Sequence, residues 1–81
     1  MLRRILSGRA DANIRFNDLR SLLFALGFQE RIRASHHIFT THELPEVVTL
    51  QPQGRDAKPY QIRQLRKLLI QRELFKLLED D

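Results

Sequence analysis

Two adjacent histidines, His36 and His37, are the residues of this 81-residue chain best suited to chemistry. They lie in the run Arg-Ala-Ser-His-His-Ile-Phe (33–39), whose aromatic and β-branched residues are typical of a strand. Neighbouring strand residues point to opposite faces, so one ring should face inward and the other should face solvent or a partner. A histidine that titrates near neutral pH can accept a proton from a hydroxyl group. The spacing also fits a purely structural pair, one ring at the core or edge and one at the surface.

One reaction within reach of such a histidine is RNA cleavage, because the substrate supplies its own nucleophile. The histidine takes the proton from a ribose 2′-OH, and the freed oxygen attacks the adjacent phosphorus while cations stabilise the phosphoryl oxygens. The reaction needs no cofactor, and DNA is inert because it lacks the 2′-OH. The candidate phosphate contacts are Arg31, Arg33, Arg55 and Lys58, each of which also fits a solvated surface charge.

Metal and cofactor chemistry has little support in the sequence. His36 and His37 should face apart, and His42 and Glu43 lie elsewhere, whereas a zinc site needs three or four converging ligands. The chain has no Cys, which excludes a thiolate zinc site, a cysteine nucleophile and a disulfide framework. It has only three Gly and contains neither a glycine-rich phosphate loop nor a serine nucleophile elbow. We therefore expect no metal and no cofactor.

The charge favours an anionic partner. The chain carries 14 Lys and Arg against 10 Asp and Glu, a net charge of +4. The last three residues are all acidic, so residues 1–78 hold 14 bases against 7 acids, a net charge of +7. Eleven of the bases are arginine, whose rigid fork suits phosphates and carboxylates. The apolar runs are too short to cross a bilayer, and the N-terminus does not read as a secretory signal.

Two amphipathic helices are predicted from the periodicity. Asn17 is predicted to cap the first, residues 18–26, and Gly27 to end it in the left-handed conformation. Lys58-Pro59 is predicted to open the last helix, because proline suits the first helical position. Their core stripes are Leu19, Leu22, Leu23 and Leu26 in the first helix and Ile62, Leu65 and Leu69 in the last. A further short helix is predicted over residues 1–8.

Three short strands are predicted between these helices, over residues 28–33, 35–41 and 47–51, with loops at 43–46 and 51–57. The order is α-β-β-β-α, which predicts an α+β domain: a three-stranded antiparallel sheet with helices packed on one face. The other sheet face would stay open, and in a basic protein it is a plausible place for RNA.

The C-terminal part carries a second apolar stripe. Ile70, Leu74, Leu77 and Leu78 centre on the side of the helix opposite the core stripe. One straight helix cannot bury both stripes in one small core. Either the helix breaks near Gln71-Arg72, or the second stripe meets a partner.

Four segments in this order resemble the HicA family of type II toxin–antitoxin toxins. They are Leu26-Gly-Phe, Arg33-Ala-Ser-His-His-Ile-Phe, Val48-Thr-Leu-Gln and Lys58-Pro-Tyr-Gln-Ile-Arg-Gln-Leu. The resemblance covers about residues 16–70 and implies a fold like that of double-stranded-RNA-binding domains. Residues 1–15 would then form an N-terminal extension, and residues 71–81 a C-terminal helical extension with an acidic end.

This resemblance implies a cytoplasmic mRNA interferase, a metal-independent endoribonuclease that a HicB-like antitoxin inhibits, with no membrane and no small-molecule cofactor. The family's Gly-Ser-His motif corresponds to Ala34-Ser35-His36. His36 is therefore the first candidate for the catalytic base, and His37 is the second. The candidate RNA contacts are Arg31, Arg33, Ser35, Arg55 and Lys58.

The chain departs from the family pattern in three places. Ala34 replaces a usual glycine, which matters if that position needs a positive φ or lets RNA come close. The turn after the second strand is expected to be long, over residues 41–46, and the chain extends past Arg72. These departures leave two alternatives to an active toxin. One is a non-catalytic RNA-binding module of the same fold, and the other is an attenuated toxin that acts mainly through a protein partner.

Overall fold

The main helices and strands follow the predicted order, and the structure adds two short strands within residues 52–57 and two 3₁₀ turns. The computed structural model describes residues 1–78, so the predicted acidic end, Glu79 to Asp81, lies outside the described residues. The helices are α1 (Leu2–Ser7), α2 (Phe16–Ala25) and α3 (Pro59–Gln71), with 3₁₀ turns at Asp11–Asn13 and Leu74–Leu77. The strands are β1 (Gln29–Arg33), β2 (His36–Thr41), β3 (Leu44–Leu50), β4 (Pro52–Gln53) and β5 (Asp56–Ala57).

The main sheet is antiparallel in the order β1-β2-β3, as predicted. Residues that pair directly share a face, so the register separates two sets of side chains. One set, centred on Phe39, faces the helices and includes His37, Val48 and Leu50. The other set is exposed on the far face and includes Arg31, Arg33, His36 and Thr49. The sheet therefore has one covered face and one open face.

The core lies between the sheet and the helices and contains both predicted helical stripes. Its largest fully buried side chains are Phe39, Ile5, Ile14, Leu19, Leu23, Ile62 and Leu69. Two of these, Ile5 and Ile14, come from residues 1–15, which therefore pack into the same core as the sheet. Arg66 on α3 also hydrogen-bonds to residues of this N-terminal segment. Its guanidinium donates to the carbonyl of Ile5 at 3.1 Å and to both carboxylate oxygens of Asp11 at 2.9 and 3.1 Å.

Helix α2 begins before its predicted cap. It starts at Phe16 with Arg15 as the capping residue, so the prediction that Asn17 is the N-cap is wrong. The backbone N–H of Phe16 donates to the carbonyl of Arg55 at 2.9 Å, and this long-range bond sets the start. The end is as predicted: Gly27 has a φ of 95°, and its N–H and that of Phe28 bind the carbonyls of Phe24 and Leu23.

The two predicted loops are wrong in part. Residues 44–46 belong to β3, and Thr41 pairs with Leu44, so the turn after β2 is the two-residue turn His42-Glu43 rather than a long one. Pro45 is tolerated because β3 is an edge strand, where a missing N–H leaves no gap in the sheet. Residues 52–57 form the small hairpin β4–β5, which a bridge between Arg15 and Asp56 ties to the chain before α2.

The second apolar stripe is divided by a helix break. Helix α3 ends at Gln71, and Glu73 takes a left-handed conformation with a φ of 53°. The chain then turns back, which buries Leu74 and packs Leu78 against the core. Ile70 and Leu77 stay exposed, at 54 and 60 %. The predicted break near Gln71-Arg72 is therefore present, and it brings only Leu74 and Leu78 of the second stripe to the core.

Ala34 holds a backbone conformation that favours glycine. It is the first residue of the two-residue turn between β1 and β2, and its φ is 53°. We expect Ala34→Gly to raise the free energy of unfolding by about 0.5–1 kcal/mol, because relief of the left-handed strain outweighs the added flexibility of the unfolded chain. Urea unfolding measures the change. In the control Ala25→Gly, at the end of α2, the same substitution should destabilise by a similar amount. A loss of stability in Ala34→Gly would contradict the prediction.

Candidate active site

His37 lies on the helix-covered face of the sheet, next to the start of α2. Its ring meets that of Phe16 edge to face, with the centroids 4.7 Å apart. Its side chain is 15 % exposed, so the ring is largely shielded but still reaches solvent. The Nδ1 atom lies 2.7 Å from Oε2 of Glu30. One ring nitrogen is therefore held by a carboxylate while the ring borders an open surface.

Glu30 is itself held by Arg20 of α2. The guanidinium binds the carboxylate through both oxygens, Nε to Oε2 at 2.8 Å and an Nη to Oε1 at 2.7 Å. Only 8 % of the Glu30 side chain is exposed. The hydrogen bond from Arg20, joined by that from His37, lowers the pKa of Glu30 below its ordinary value. Glu30 is therefore an anion at neutral pH and can only accept hydrogen bonds.

The negative charge of Glu30 decides which nitrogen of the His37 ring carries a hydrogen in the neutral ring. Because Glu30 can only accept, Nδ1 of His37 must carry a hydrogen and donate it. In the neutral ring, Nε2 is then the atom with a free lone pair. Nε2 makes no hydrogen bond to any of residues 1–78. In the neutral ring the arrangement therefore leaves Nε2 with an unshared lone pair.

His37 borders an open depression of about 630 Å³ at the start of α2. The hairpin β4–β5 and its turn contribute Pro52, Gly54 and Arg55 to the lining, and the bridge from Asp56 to Arg15 joins this hairpin to the segment before α2. The lining residues are Arg15, Phe16, Asn17, Asp18, His37, Pro52, Gly54 and Arg55. Two arginines and a histidine, together with the single carboxylate Asp18, thus line an open space at the start of α2.

The residues predicted from the sequence fall into three places. His36 lies on the open sheet face with Arg31 and Arg33, away from His37, and its side chain makes no hydrogen bond or ion pair within the described chain. Arg55 lines the depression at His37.

Ser35 and Lys58 occupy the third place, where Gln51 links the β1–β2 turn to the start of α3. Nε2 of Gln51 donates to Oγ of Ser35 at 3.0 Å, and Nζ of Lys58 donates to Oε1 of Gln51 at 3.4 Å. Of the predicted residues, Arg55 and His37 thus lie together at the depression, whereas His36 lies on the opposite face of the sheet.

Glu30, Arg20 and Arg15 are the site residues that sequence reasoning missed. One signal for Glu30 was present in the alternation of the first strand. Glu30 falls on the same side as Phe28 and Ile32, and a carboxylate among apolar positions needs a partner when the strand packs. Arg20 and Arg15 carried no such signal, because the fold brings them to the site from helix α2 and its cap.

The stability contributed by Glu30 should depend on pH. A carboxylate whose pKa is lower in the folded protein stabilises the fold at every pH above the ordinary pKa of the group, which is 4.5 for glutamate. This stabilisation is lost as the pH falls through the lowered pKa of the folded state. We expect Glu30→Gln to cost about 1.5–3 kcal/mol at pH 7, because it weakens hydrogen bonds between charged groups. The gap between wild type and variant should shrink between pH 5 and pH 3. Urea unfolding at each pH checks this, and a gap that stays constant would contradict it.

Within residues 1–78, no group of three or more His, Cys, Asp or Glu is placed to hold a metal ion. None of the helices in this part of the chain has the length and apolar character needed to span a membrane.

Comparison with known proteins assigns the chain to a family. A family model described as "HicA toxin of bacterial toxin-antitoxin" matches residues 16–71, which is more than half of the chain. No match was found among curated proteins or solved structures. The matched range begins at α2 and ends with α3, so it contains the sheet, His37, Glu30 and every lining residue of the depression except Arg15. This chain belongs to the HicA toxin family.

Proposed function

We propose that this toxin is a metal-independent endoribonuclease that cleaves mRNA with His37 as its general base. One observation carries the proposal: Nδ1 of His37 lies 2.7 Å from a carboxylate that Arg20 keeps ionised. A histidine oriented in this way presents Nε2 as a proton acceptor, which is what removal of a 2′ proton requires. Family membership supports the role of a toxin in a toxin–antitoxin system.

The reaction follows from these groups. Nε2 of His37 takes the proton of a ribose 2′-OH, and the 2′ oxygen forms a bond to the adjacent phosphorus. The bond from phosphorus to the 5′ oxygen of the next nucleotide breaks, and that oxygen takes a proton from water. The products are a 2′,3′-cyclic phosphate and a 5′-OH end. We propose that Arg15 and Arg55, which line the same depression, stabilise the charge on the phosphoryl oxygens.

We choose His37 over His36, the first candidate from the sequence, on the basis of their surroundings. His36 lies on the open face and has no partner within residues 1–78 to orient its ring. His37 has a carboxylate, an aromatic neighbour and a depression beside it. In our proposal, Arg31 and Arg33 bind RNA outside the reacting nucleotide, while Ser35 and Lys58 contact RNA at the β1–β2 turn.

We propose that the toxin acts in the cytoplasm, where mRNA is its substrate and a HicB-like antitoxin is its inhibitor. Arg20 and Glu30 have an indirect part in the chemistry, since they hold the His37 ring in one tautomer and one orientation. They are positioning residues, and the substrate supplies the nucleophile.

A substrate with one altered sugar tests the reaction. Purified toxin is incubated with a single-stranded RNA that it cleaves, and then with the same RNA carrying a 2′-deoxy nucleotide at the cleaved position. We expect cleavage at that position to stop, cyclic phosphate ends on the normal product, and no change when EDTA is added. Continued cleavage at the deoxy position would refute the mechanism. RNA binding without any product would favour the non-catalytic module, for which the strained Ala34 turn is the supporting observation.

A further inference from the structure

We propose that the outer edge of β1 binds an extended, acidic segment of a partner protein as a fourth strand of the sheet. The order β1-β2-β3 puts β1 at one edge, and within residues 1–78 no strand lies beyond it. An unpaired strand edge is a template for a strand from another chain. This inference concerns binding of a protein and does not depend on RNA cleavage.

The register determines which backbone groups of β1 point outward. Arg33 and His36 flank a two-residue turn and pair directly, so they exchange hydrogen bonds with each other. Bonded and non-bonded pairs alternate along an antiparallel ladder, so the backbone of Arg31 also points toward β2. The N–H and C=O groups of Glu30 and Ile32 therefore point away from the sheet. Neither residue has a backbone bond to another part of the described chain.

The side chains along this edge are available as well. Ile32 is 56 % exposed although it lies on the face of the sheet that the helices cover. Arg31 and Arg33 are exposed on the open face and have no ion pair with any residue from 1 to 78. The opposite edge is different, because β3 contains Pro45, and Arg72 binds Glu46 of β3. Among residues 1–78, the β1 edge of this sheet thus differs from the β3 edge in combining unpaired backbone groups and an exposed apolar side chain with cations that have no ion pair.

Charge selects the kind of strand that fits. A second copy of β1 would bring its own Arg31 and Arg33 against those of the first, and like charges on neighbouring strands are destabilising. A complementary strand instead carries carboxylates opposite Arg31 and Arg33 and an apolar residue opposite Ile32. RNA fits less well, because it would leave Ile32 exposed and cannot continue the backbone ladder. The observations thus favour a protein strand that alternates acidic and apolar residues.

Such a partner would compete with RNA for part of the surface. The two arginines that would pair with its carboxylates are the ones we propose to bind RNA beyond the reacting nucleotide. The partner strand would lie two strand spacings from β2, which is about 10 Å, so it need not touch His37. An antitoxin, the partner that family membership implies, would weaken RNA binding if it used this edge.

Amide hydrogen exchange with a synthetic peptide tests the proposal. The probe is a seven-residue peptide that alternates glutamate with valine, and the control peptide has the same composition with the glutamates in one block. We expect the alternating peptide to protect the amides of Glu30 and Ile32 from exchange. Ile32→Pro removes one outward N–H without removing a bond to β2, and should weaken binding about 5–10-fold. Ile32→Val, which keeps both the N–H and an apolar β-branched side chain, should bind like wild type to within about twofold.

A matched pair of charge reversals keeps the test decisive if Ile32→Pro fails to fold. Arg31→Glu with Arg33→Glu should weaken binding of the alternating peptide at least about tenfold. Arg63→Glu with Lys67→Glu makes the same change of charge on the outer side of α3 and should have a much smaller effect. Equal losses from the two pairs, equal binding of the block peptide, or unprotected Glu30 and Ile32 amides would overturn the proposal. So would protection of these amides by a single-stranded RNA instead of the peptide.

Discussion

Replacing His37 with alanine is expected to lower the rate of RNA cleavage by about 10²–10⁴-fold, the usual contribution of a general base. The same substitution at His36 should change the rate by only a few-fold, because His36 lies on the other face of the sheet. The two variants remove the same chemical group from neighbouring positions, so each serves as the control for the other. Cleavage of a defined RNA under single-turnover conditions gives the rates.

The comparison needs a check on folding, because His37 also packs against Phe16. His37→Gln keeps a polar side chain of similar reach but cannot act as a base near neutral pH, and it should lose as much activity as His37→Ala. Circular dichroism and urea unfolding show whether each variant is folded. A folded His37→Gln that cleaves RNA like wild type would refute the role of His37. Loss of cleavage in His36→Ala alone would make His36 the base.

Ile5→Ala is expected to reduce the free energy of unfolding by about 2–4 kcal/mol, the usual cost of emptying a buried isoleucine site. Ile5 is fully buried and lies outside the residues matched by the family model. A chain of this size has a total stability of only about 4–12 kcal/mol, so the loss is a large part of it. Leu77→Ala is the control, because Leu77 is 60 % exposed and its truncation should cost about 0.5 kcal/mol or less.

This second prediction decides whether residues 1–15 are an appendage or part of the domain. Urea unfolding of both variants, with Ile62→Ala as a reference from the core stripe of α3, gives the three values. We expect Ile5→Ala to resemble Ile62→Ala. If Ile5→Ala costs as little as Leu77→Ala, the N-terminal segment adds little to the stability of the fold, and the boundary at residue 16 is also an energetic one.

Local patterns were sufficient to predict the main helices and strands of this fold. The leucine spacing of α2 and the proline at the start of α3 each reflect a rule that acts within a few residues, and both predictions are confirmed. The failures occur where distant segments decide. The β4–β5 hairpin has few strand-forming residues and depends on the bridge from Arg15 to Asp56. Pro45 favoured a loop, yet pairing with β2 holds its segment in a strand.

The site was predictable in part for the same reason. Alternation along a strand predicted that His36 and His37 face opposite sides, and the structure confirms this. Alternation alone does not say which ring faces the helices, because a shift of one residue exchanges the two faces. That choice follows from contacts with Glu30 and Phe16, which lie 7 and 21 positions earlier in the chain. The contacts of Arg20 with Glu30, and the place of Arg15 beside the depression, depend on how α2 packs on the sheet and could not be predicted from local patterns.

The bonds from Arg66 to Ile5 and Asp11 have a consequence for synthesis of the toxin on the ribosome. Arg66 is translated 61 positions after Ile5, so α1 cannot form its hydrogen bond with α3 until that part of the chain has been made. The buried core therefore closes only after nearly all of the described chain has been made. We therefore expect the contact between α1 and α3 to be among the last tertiary contacts that form as the described chain is made.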